Sequence, residues 1–369
     1  MPLKRPNPGG DENNVKRYDF EGHKLMYHQG RLNQFLETGD CFPLYLEISP
    51  VGSCNHRCLF CAYDFIGYPN RKLETSRTLK LIDELARGGL KSLLFAGEGE
   101  PLLHPDLDTL IRHAKQSGID VGLFTNGQLL TPLLAERIIP NLTFVRFSFN
   151  AGTKENYSRI HQVKEEAFAS VSRAITNAAT VRREKGLATA VGAQFVLIPE
   201  NMESLLPAAS LLKEAGADYL AIKPFVQQSE RQCYRLEHPI PPAELEANLL
   251  AAEQLSDGNF KVMARRSAFA NYGVRHYAHC YGSAFISVIN SAGDVASCLP
   301  YWDNQEYVFG NIYRNSFNEI WQGSRRKGVK RMLECSKEVG SCPPNCRPNA
   351  VNEFLYELKH PSVEHLNFI

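Results

Sequence analysis

Residues 44–61 read LYLEISPVGSCNHRCLFC. Leu44–Ser49 reads as a buried strand. Cys54, Cys58 and Cys61 follow it in a C-x3-C-x2-C run on a single loop. Three thiolates this close can converge on one metal centre, and soft thiolate ligands favour zinc or iron–sulfur over hard cations. A [4Fe–4S] cluster takes four Cys ligands, and this loop offers three, so one iron is left open as a place for a substrate to bind. A structural zinc site wants a fourth protein ligand. His56 is wedged between the thiolates and is expected to point away or to contact the cofactor.

Outward from this loop, strands and helices alternate. Thr75–Leu90 has helical spacing and ends at Gly88–Gly89. Ser92–Gly97, Asp120–Thr125, Thr143–Asn150, Ala188–Ile198 and Tyr219–Lys223 read as further strands. Pro105–Ser117, Pro132–Ile139, a long pattern up to about Arg183, and Met202–Ala215 read as helices between them. Six strands alternating with helices predict an α/β fold, a partial (β/α)6 TIM barrel, with ligands at the carboxyl ends of the strands. The expected division is a polar N-terminal extension (1–43), the barrel (44–225), a bridging helical region (226–275), a small cysteine-rich domain (276–350) and a C-terminal tail (351–369). Residues 1–20 are rich in Pro, Gly and Asn, a composition expected to be disordered.

The bulk numbers exclude several classes. The 369 residues are 43% hydrophobic and 22% charged, ordinary globular usage that needs no staples to fold. A formal net charge of +1 gives no electrostatic reason to expect nucleic acid or an anionic membrane as partner. No apolar run approaches the ~20 residues that cross a bilayer, and the N-terminus lacks the apolar core of a secretory signal. The expectation is a cytoplasmic protein. In a reducing compartment its ten cysteines are metal ligands or catalytic groups before they are disulfides. Cys41 and Cys233 stand alone and read as ordinary buried thiols.

The first cysteine run resembles the signature of the radical S-adenosylmethionine (SAM) superfamily, C-x3-C-x-Φ-C with an aromatic Φ, here Phe60. The resemblance implies a [4Fe–4S] cluster on Cys54, Cys58 and Cys61 whose open iron chelates SAM. It also implies reductive cleavage to a 5′-deoxyadenosyl radical that abstracts a substrate hydrogen. Gly97-Glu98-Gly99-Glu100-Pro101 resembles the family's GGEP motif, which implies that Gly99, Glu100 and Pro101 hold the SAM amino group; Glu98 departs from the plain form. Thr125-Asn126-Gly127 is similar to a family segment near SAM, although Asn-Gly is also a common turn. Ser148 and Asn150 at the fourth strand end resemble groups that hold the ribose or carboxylate. The Phe60 backbone and Leu197–Ile198 are implied walls for adenine, and Arg159, Gln194, Glu200 and Asn201 are further pocket candidates.

Cys280-x12-Gly293-x4-Cys298 and Cys335-x6-Cys342-x3-Cys346 resemble the opening and closing parts of the SPASM and twitch domains. That implies one auxiliary [4Fe–4S] cluster, on Cys280, Cys298, Cys342 and Cys346 with Cys335 as alternate ligand; a structural zinc is the competing occupant. A four-thiolate cluster is coordinatively full, so its roles are electron transfer and structure. The expected reaction is an oxidation that needs a base, for which Lys223 and His161 are the candidates. An Asp base follows the second hairpin cysteine in one relative class; here that position is Leu299. A flavodoxin or ferredoxin is the implied electron donor. The expected substrate is a small polar molecule, such as a sugar, nucleotide sugar or aminocyclitol, ahead of a peptide, because only about 40 residues precede the barrel. A peptide maturase is the second reading, and a non-catalytic iron–sulfur or zinc protein the third.

Overall fold

The computed structural model describes residues 23–335, 339–344 and 346–368. The expected disorder of residues 1–20 lies outside this range. A helix α1 (Gln29–Thr38) comes first, and its Phe35 is buried against Tyr281 and Phe285. Then follow β1 (Tyr45–Ile48), α2 (Thr75–Arg87), β2 (Ser92–Phe95), α3 (Leu107–Gln116), β3 (Asp120–Thr125), α4 (Pro132–Ile138) and β4 (Phe144–Ser148). The long helical pattern after β4 is two helices, α5 (Lys154–His161) and α6 (Glu166–Glu184). They are followed by β5 (Ala190–Leu197), α7 (Leu205–Glu214) and β6 (Tyr219–Pro224).

The stretch 226–275 holds α8 (Pro242–Glu253), β7 (Lys261–Ala264) and α9 (Arg266–Ala270). Strand β7 pairs in parallel with β6, Ala221 opposite Met263, so the parallel sheet runs one strand further than the six read from the sequence. The C-terminal part contributes β8 (Ile286–Ile289), β9 (Asp294–Ala296), β10 (Val308–Asn311), α10 (Phe317–Gln322), α11 (Ser324–Cys335) and α12 (Asn349–Lys359). All ten strands form one sheet, in the order β10-β9-β8-β1-β2-β3-β4-β5-β6-β7. The cysteine-rich region is therefore grafted onto the barrel edge: β8 runs parallel to β1 with Tyr45 opposite Ile286, and β9 and β10 turn back antiparallel.

The alternation of side chains along the strands assigns the two faces of the sheet. Leu46, Ile48, Leu93, Phe95, Val145, Phe147, Leu220 and Ile222 point outward and join the buried core beneath the helices. Tyr45, Glu47, Phe144, Arg146, Ser148, Gln194, Ala221 and Lys223 occupy the opposite face. On β4 the outward residues are buried and the inward Phe144, Arg146 and Ser148 stay partly exposed, whereas Glu47 and Ala221 on the same face are buried. Among the described residues, no helix is long and apolar enough to cross a membrane.

Candidate active site

The loop after β1 carries Cys54, Cys58 and Cys61, and two neighbours hold its backbone. On one side, the Glu100 N–H donates to Ser53 O at 2.9 Å. Gly99 takes φ +71°, and a β-carbon there would fall 2.2 Å from Val51 O, so only glycine lets this turn lie against the loop. On the other side, α5 ends against the loop: Leu59 N–H donates to Ile160 O at 2.8 Å and Arg57 N–H to His161 O at 3.1 Å. Helix ends leave carbonyls unpaired, and the cysteine loop supplies donors for two of them.

Each thiol meets a polar group. His56 N–H lies 3.4 Å from Cys54 Sγ, and Asn126 Nδ2 lies 3.9 Å from it. His161 Nδ1 lies 3.3 Å from Cys58 Sγ. The Tyr68 hydroxyl bonds Cys61. Burial pushes Cys54 up to about 12, and burial together with Cys61 and Cys54 pushes Cys58 well upward. Three half-buried thiols on one loop are thus protonated on their own and need a cation to become thiolates. That donor set fits an iron–sulfur cluster.

The imidazoles beside them are engaged. His161 Nε2 accepts from the Asn150 N–H at 3.3 Å, so Nδ1 carries the proton and points an N–H at Cys58. His161 is completely buried, and burial drives its pKa well below the ordinary imidazole range. Its ring stacks on Tyr157 at 4.0 Å. His56 packs behind the loop, with Nε2 2.7 Å from Gln128 Oε1, and burial lowers it to about 4. One ligand atom each from His56, Cys58 and His161 lie within 4.8 Å of one another.

The remaining sequence candidates surround this loop. Glu100 is buried and accepts from Thr125 Oγ1 (2.5 Å), Asn126 N (2.7 Å) and Leu102 N (3.0 Å), so its carboxylate braces the end of β3. Pro101 begins a buried 3-10 turn. Asn126 Nδ2 donates to Asn55 Oδ1 at 2.8 Å. Phe60 lies in an apolar cluster with Ile160, Val196, Ile198, Phe225 and Tyr234; of the Leu197–Ile198 pair read from the sequence, Ile198 joins this cluster while Leu197 packs in the core beneath the helices. Ser148 sits on the inner face. Asn150 Oδ1 accepts from Val196 N (2.8 Å), and Asn201 Nδ2 donates to Asn150 O (3.0 Å). Glu200 accepts from the Tyr234 hydroxyl, and Arg159 donates to Glu200 O. Glu98 is buried, accepts from Ser291 N at 2.7 Å and pairs with Arg71 at 3.5 Å, which ties the turn after β2 to the C-terminal hairpin.

The second group brings together Cys280, Cys298, Cys342 and Cys346. Burial raises Cys280, Cys298 and Cys346, the last to about 12, and thiols of this group add to each shift. Asn352 Nδ2 lies 3.5 Å from Cys280 Sγ, Ser297 Oγ 3.7 Å from Cys298 Sγ and Tyr277 Oη 3.8 Å from Cys346 Sγ. The Tyr301 hydroxyl bonds Cys342. Four half-buried thiols are a donor set that fits a second cluster. Cys335 ends α11 and is exposed. Of the lone cysteines, Cys41 is buried as expected, with Sγ 3.4 Å from Ala284 O, whereas Cys233 is exposed because its loop crosses the outside of the cluster loop, its N–H donating to Asp64.

Sequence reading missed the charged groups of the inner face. Glu47 on β1 accepts from the Tyr45 hydroxyl at 2.9 Å and pairs with Arg347 at 2.7 Å. Arg146 donates to the Tyr219 hydroxyl at 3.1 Å and stacks over Phe124 at 4.8 Å. Lys223, a sequence candidate, lies among Arg265, Arg347 and Arg146; burial and these cations draw its amine down to about 7. The alternation of β1, β4 and β6 was the signal that could have found Glu47 and Arg146. Nothing local marks Gln128, Tyr68 or Arg347.

A parallel α/β barrel bearing a three-thiol loop after its first strand, with a four-thiol group at its edge, defines an iron–sulfur enzyme with two centres. The family profile of the Radical SAM superfamily matches residues 48–222, and that of the SPASM iron-sulfur cluster-binding domain matches residues 280–347. The chain belongs to the radical SAM superfamily and carries a C-terminal SPASM domain. Its cofactors are a [4Fe–4S] cluster with SAM and auxiliary iron–sulfur. It is 35% identical to the GTP 3',8-cyclase of Chlorobaculum tepidum over 133 residues, which is 36% of this chain and 39% of that relative. It is 24% identical to the AdoMet-dependent heme synthase of Methanosarcina barkeri over 317 residues, 79% of this chain and 85% of the relative. Streptococcus suis SuiB, bound to its precursor peptide SuiA, superposes with a TM-score of 0.63 at 15% identity, covering 83% of this chain and 71% of that one; this likeness concerns the fold.

Proposed function

We propose that this enzyme is an oxidoreductase that uses SAM to abstract hydrogen from a small polar substrate, of the sugar, nucleotide-sugar or aminocyclitol kind. The observation that carries the reading is the three-thiol loop whose nearest imidazole, His161, turns an N–H rather than a lone pair toward Cys58. Cys54, Cys58 and Cys61 would hold the cluster and leave one iron for SAM. When bound, that pair supplies a 5′-deoxyadenosyl radical, formed by one-electron cleavage of the sulfonium, which takes one hydrogen atom from the substrate.

The chain's own residues do the rest. The Gly99–Glu100 turn holds the loop backbone at Ser53, Asn126 braces the Asn55 side chain, and Phe60 with Val196 and Ile198 would offer an apolar wall for adenine. Lys223, on the inner face with an amine drawn to about 7, would accept the substrate proton. Cys280, Cys298, Cys342 and Cys346 would hold the auxiliary [4Fe–4S] cluster whose presence makes an oxidation the expected outcome. A flavodoxin or ferredoxin supplies electrons in the cell.

Protein reconstituted anaerobically with iron and sulfide, then treated with dithionite and SAM, is expected to release 5′-deoxyadenosine and to hold about eight irons per chain. Zinc at the first site, or no 5′-deoxyadenosine, overturns the reading. About four irons removes the auxiliary cluster from it. Deuterium carried into 5′-deoxyadenosine from a labelled peptide, and from no small molecule, would replace the substrate class with that of a peptide maturase.

A further inference from the structure

Each cysteine of the second group has a polar side chain beside its sulfur, and one of these side chains comes from outside the cysteine-rich stretch. Asn352 stands one turn into α12, past residue 347 where the SPASM match ends and within the stretch read from the sequence as a tail. It is 1% exposed. Its amide has one orientation: Oδ1 accepts from the Gly282 N–H at 2.6 Å, which turns Nδ2 toward Cys280 Sγ at 3.5 Å. A β-carbon at Gly282 would fall 2.8 Å from Pro348 Cβ, so the loop after Cys280 lies directly on the start of α12. One amide thus clamps that loop and aims a donor at its thiol. Ser297 is also fully buried and places Oγ 3.7 Å from Cys298 Sγ. Tyr277 is the weaker donor, because its hydroxyl meets Asn349 Oδ1 at 2.8 Å and stands 3.8 Å from Cys346 Sγ.

Cluster sulfurs carry more negative charge in the reduced state, so a donor aimed at a ligand sulfur favours reduction. Away from water such a bond is electrostatically stronger than in solvent. We propose that Asn352 and Ser297 are positioning residues that raise the reduction potential of the auxiliary cluster through Cys280 and Cys298, with Asn352 the stronger of the two. They make the second centre an easier place to put an electron than its four cysteines would be alone. The inference holds whatever the substrate is, and it rests on the second thiol group holding iron–sulfur.

The test is an EPR-monitored redox titration of the anaerobically loaded enzyme, in which the first cluster's signal is the one that SAM alters. Asn352→Asp keeps the size of the side chain and an acceptor for the Gly282 N–H, but turns an oxygen toward Cys280. It is expected to lower the equilibrium constant for reducing the auxiliary cluster roughly tenfold, about 59 mV for one electron, and to leave the first cluster's midpoint where it was. Ser297→Ala should lower the auxiliary midpoint by less, and Ser297→Thr, which keeps the hydroxyl, should hold the wild-type value. Should Asn352→Asp lose iron from the second site, the Ser297 pair decides. Variants that load fully and titrate with the wild-type auxiliary midpoint, or a shift shared equally by both clusters, overturn the proposal. Wild-type enzyme with a single iron–sulfur signal, the one SAM alters, would overturn the reading of the second thiol group and this inference with it.

Discussion

His161 closes α5 with both ring nitrogens engaged, one accepting from a backbone amide and the other donating to Cys58. Hydrogen bonds to cluster sulfurs set reduction potentials, because they favour the more negatively charged state. A bond to a charged partner is worth about 1.5–3 kcal/mol, and a fraction of that difference between redox states corresponds to tens of millivolts. His161→Leu is therefore expected to lower the midpoint of the first cluster by tens of millivolts in an EPR-monitored titration, and His161→Gln to recover part of it. An unchanged midpoint in His161→Leu would show that the imidazole serves packing alone. The cysteines were legible because their spacing alone brings three thiols to one loop. His161 was legible as a residue near the site but not as a thiolate donor, since that depends on α5 ending against the loop. Gln128 and Tyr68 were illegible for the same reason: their partners are set by loop path, which no periodicity encodes.

Between elements, the turn after β2 acts as a brace for the cysteine loop, and its closest approach is at Gly99. An added methyl group at Gly99 would meet Val51 O, and its φ of +71° is unfavourable for any side chain. Gly99→Ala is expected to cost about 1–3 kcal/mol and to reduce iron retained at the first site while sparing the auxiliary one. Iron analysis with Mössbauer or EPR spectra of the two clusters checks it; full occupancy of the first site would show that the turn does not support the loop. The β/α rhythm up to β6 was readable because each strand is apolar on its outward row and each helix has a buried stripe. Strand β7 escaped because KVMA is four residues long and sits in a polar stretch. Two helices after β4 read as one because Gln162, in left-handed conformation between them, is a residue type that carries no strong break signal.

Across the whole molecule, the sheet does not stop at the barrel. Strand β8 pairs with β1, Trp321 Nε1 donates to Cys41 O at 2.8 Å, and Arg347 reaches Glu47. This side of β1 would otherwise be a raw edge of the kind that recruits other chains. A chain ending at residue 275 is therefore expected to self-associate or precipitate, seen by size-exclusion chromatography, where a monodisperse monomer would show that the barrel closes its own edge. The joining of the two regions was illegible because it is a pairing between residues more than two hundred positions apart, while each region's cysteine spacing was plain.

Cys346 and Arg347 are consecutive, one facing the distal thiols and the other the chamber wall. The ion pair to β1 and the distal thiol group thus share one peptide unit, so the sheet and the cysteine cluster are joined by the shortest covalent tether a chain can make.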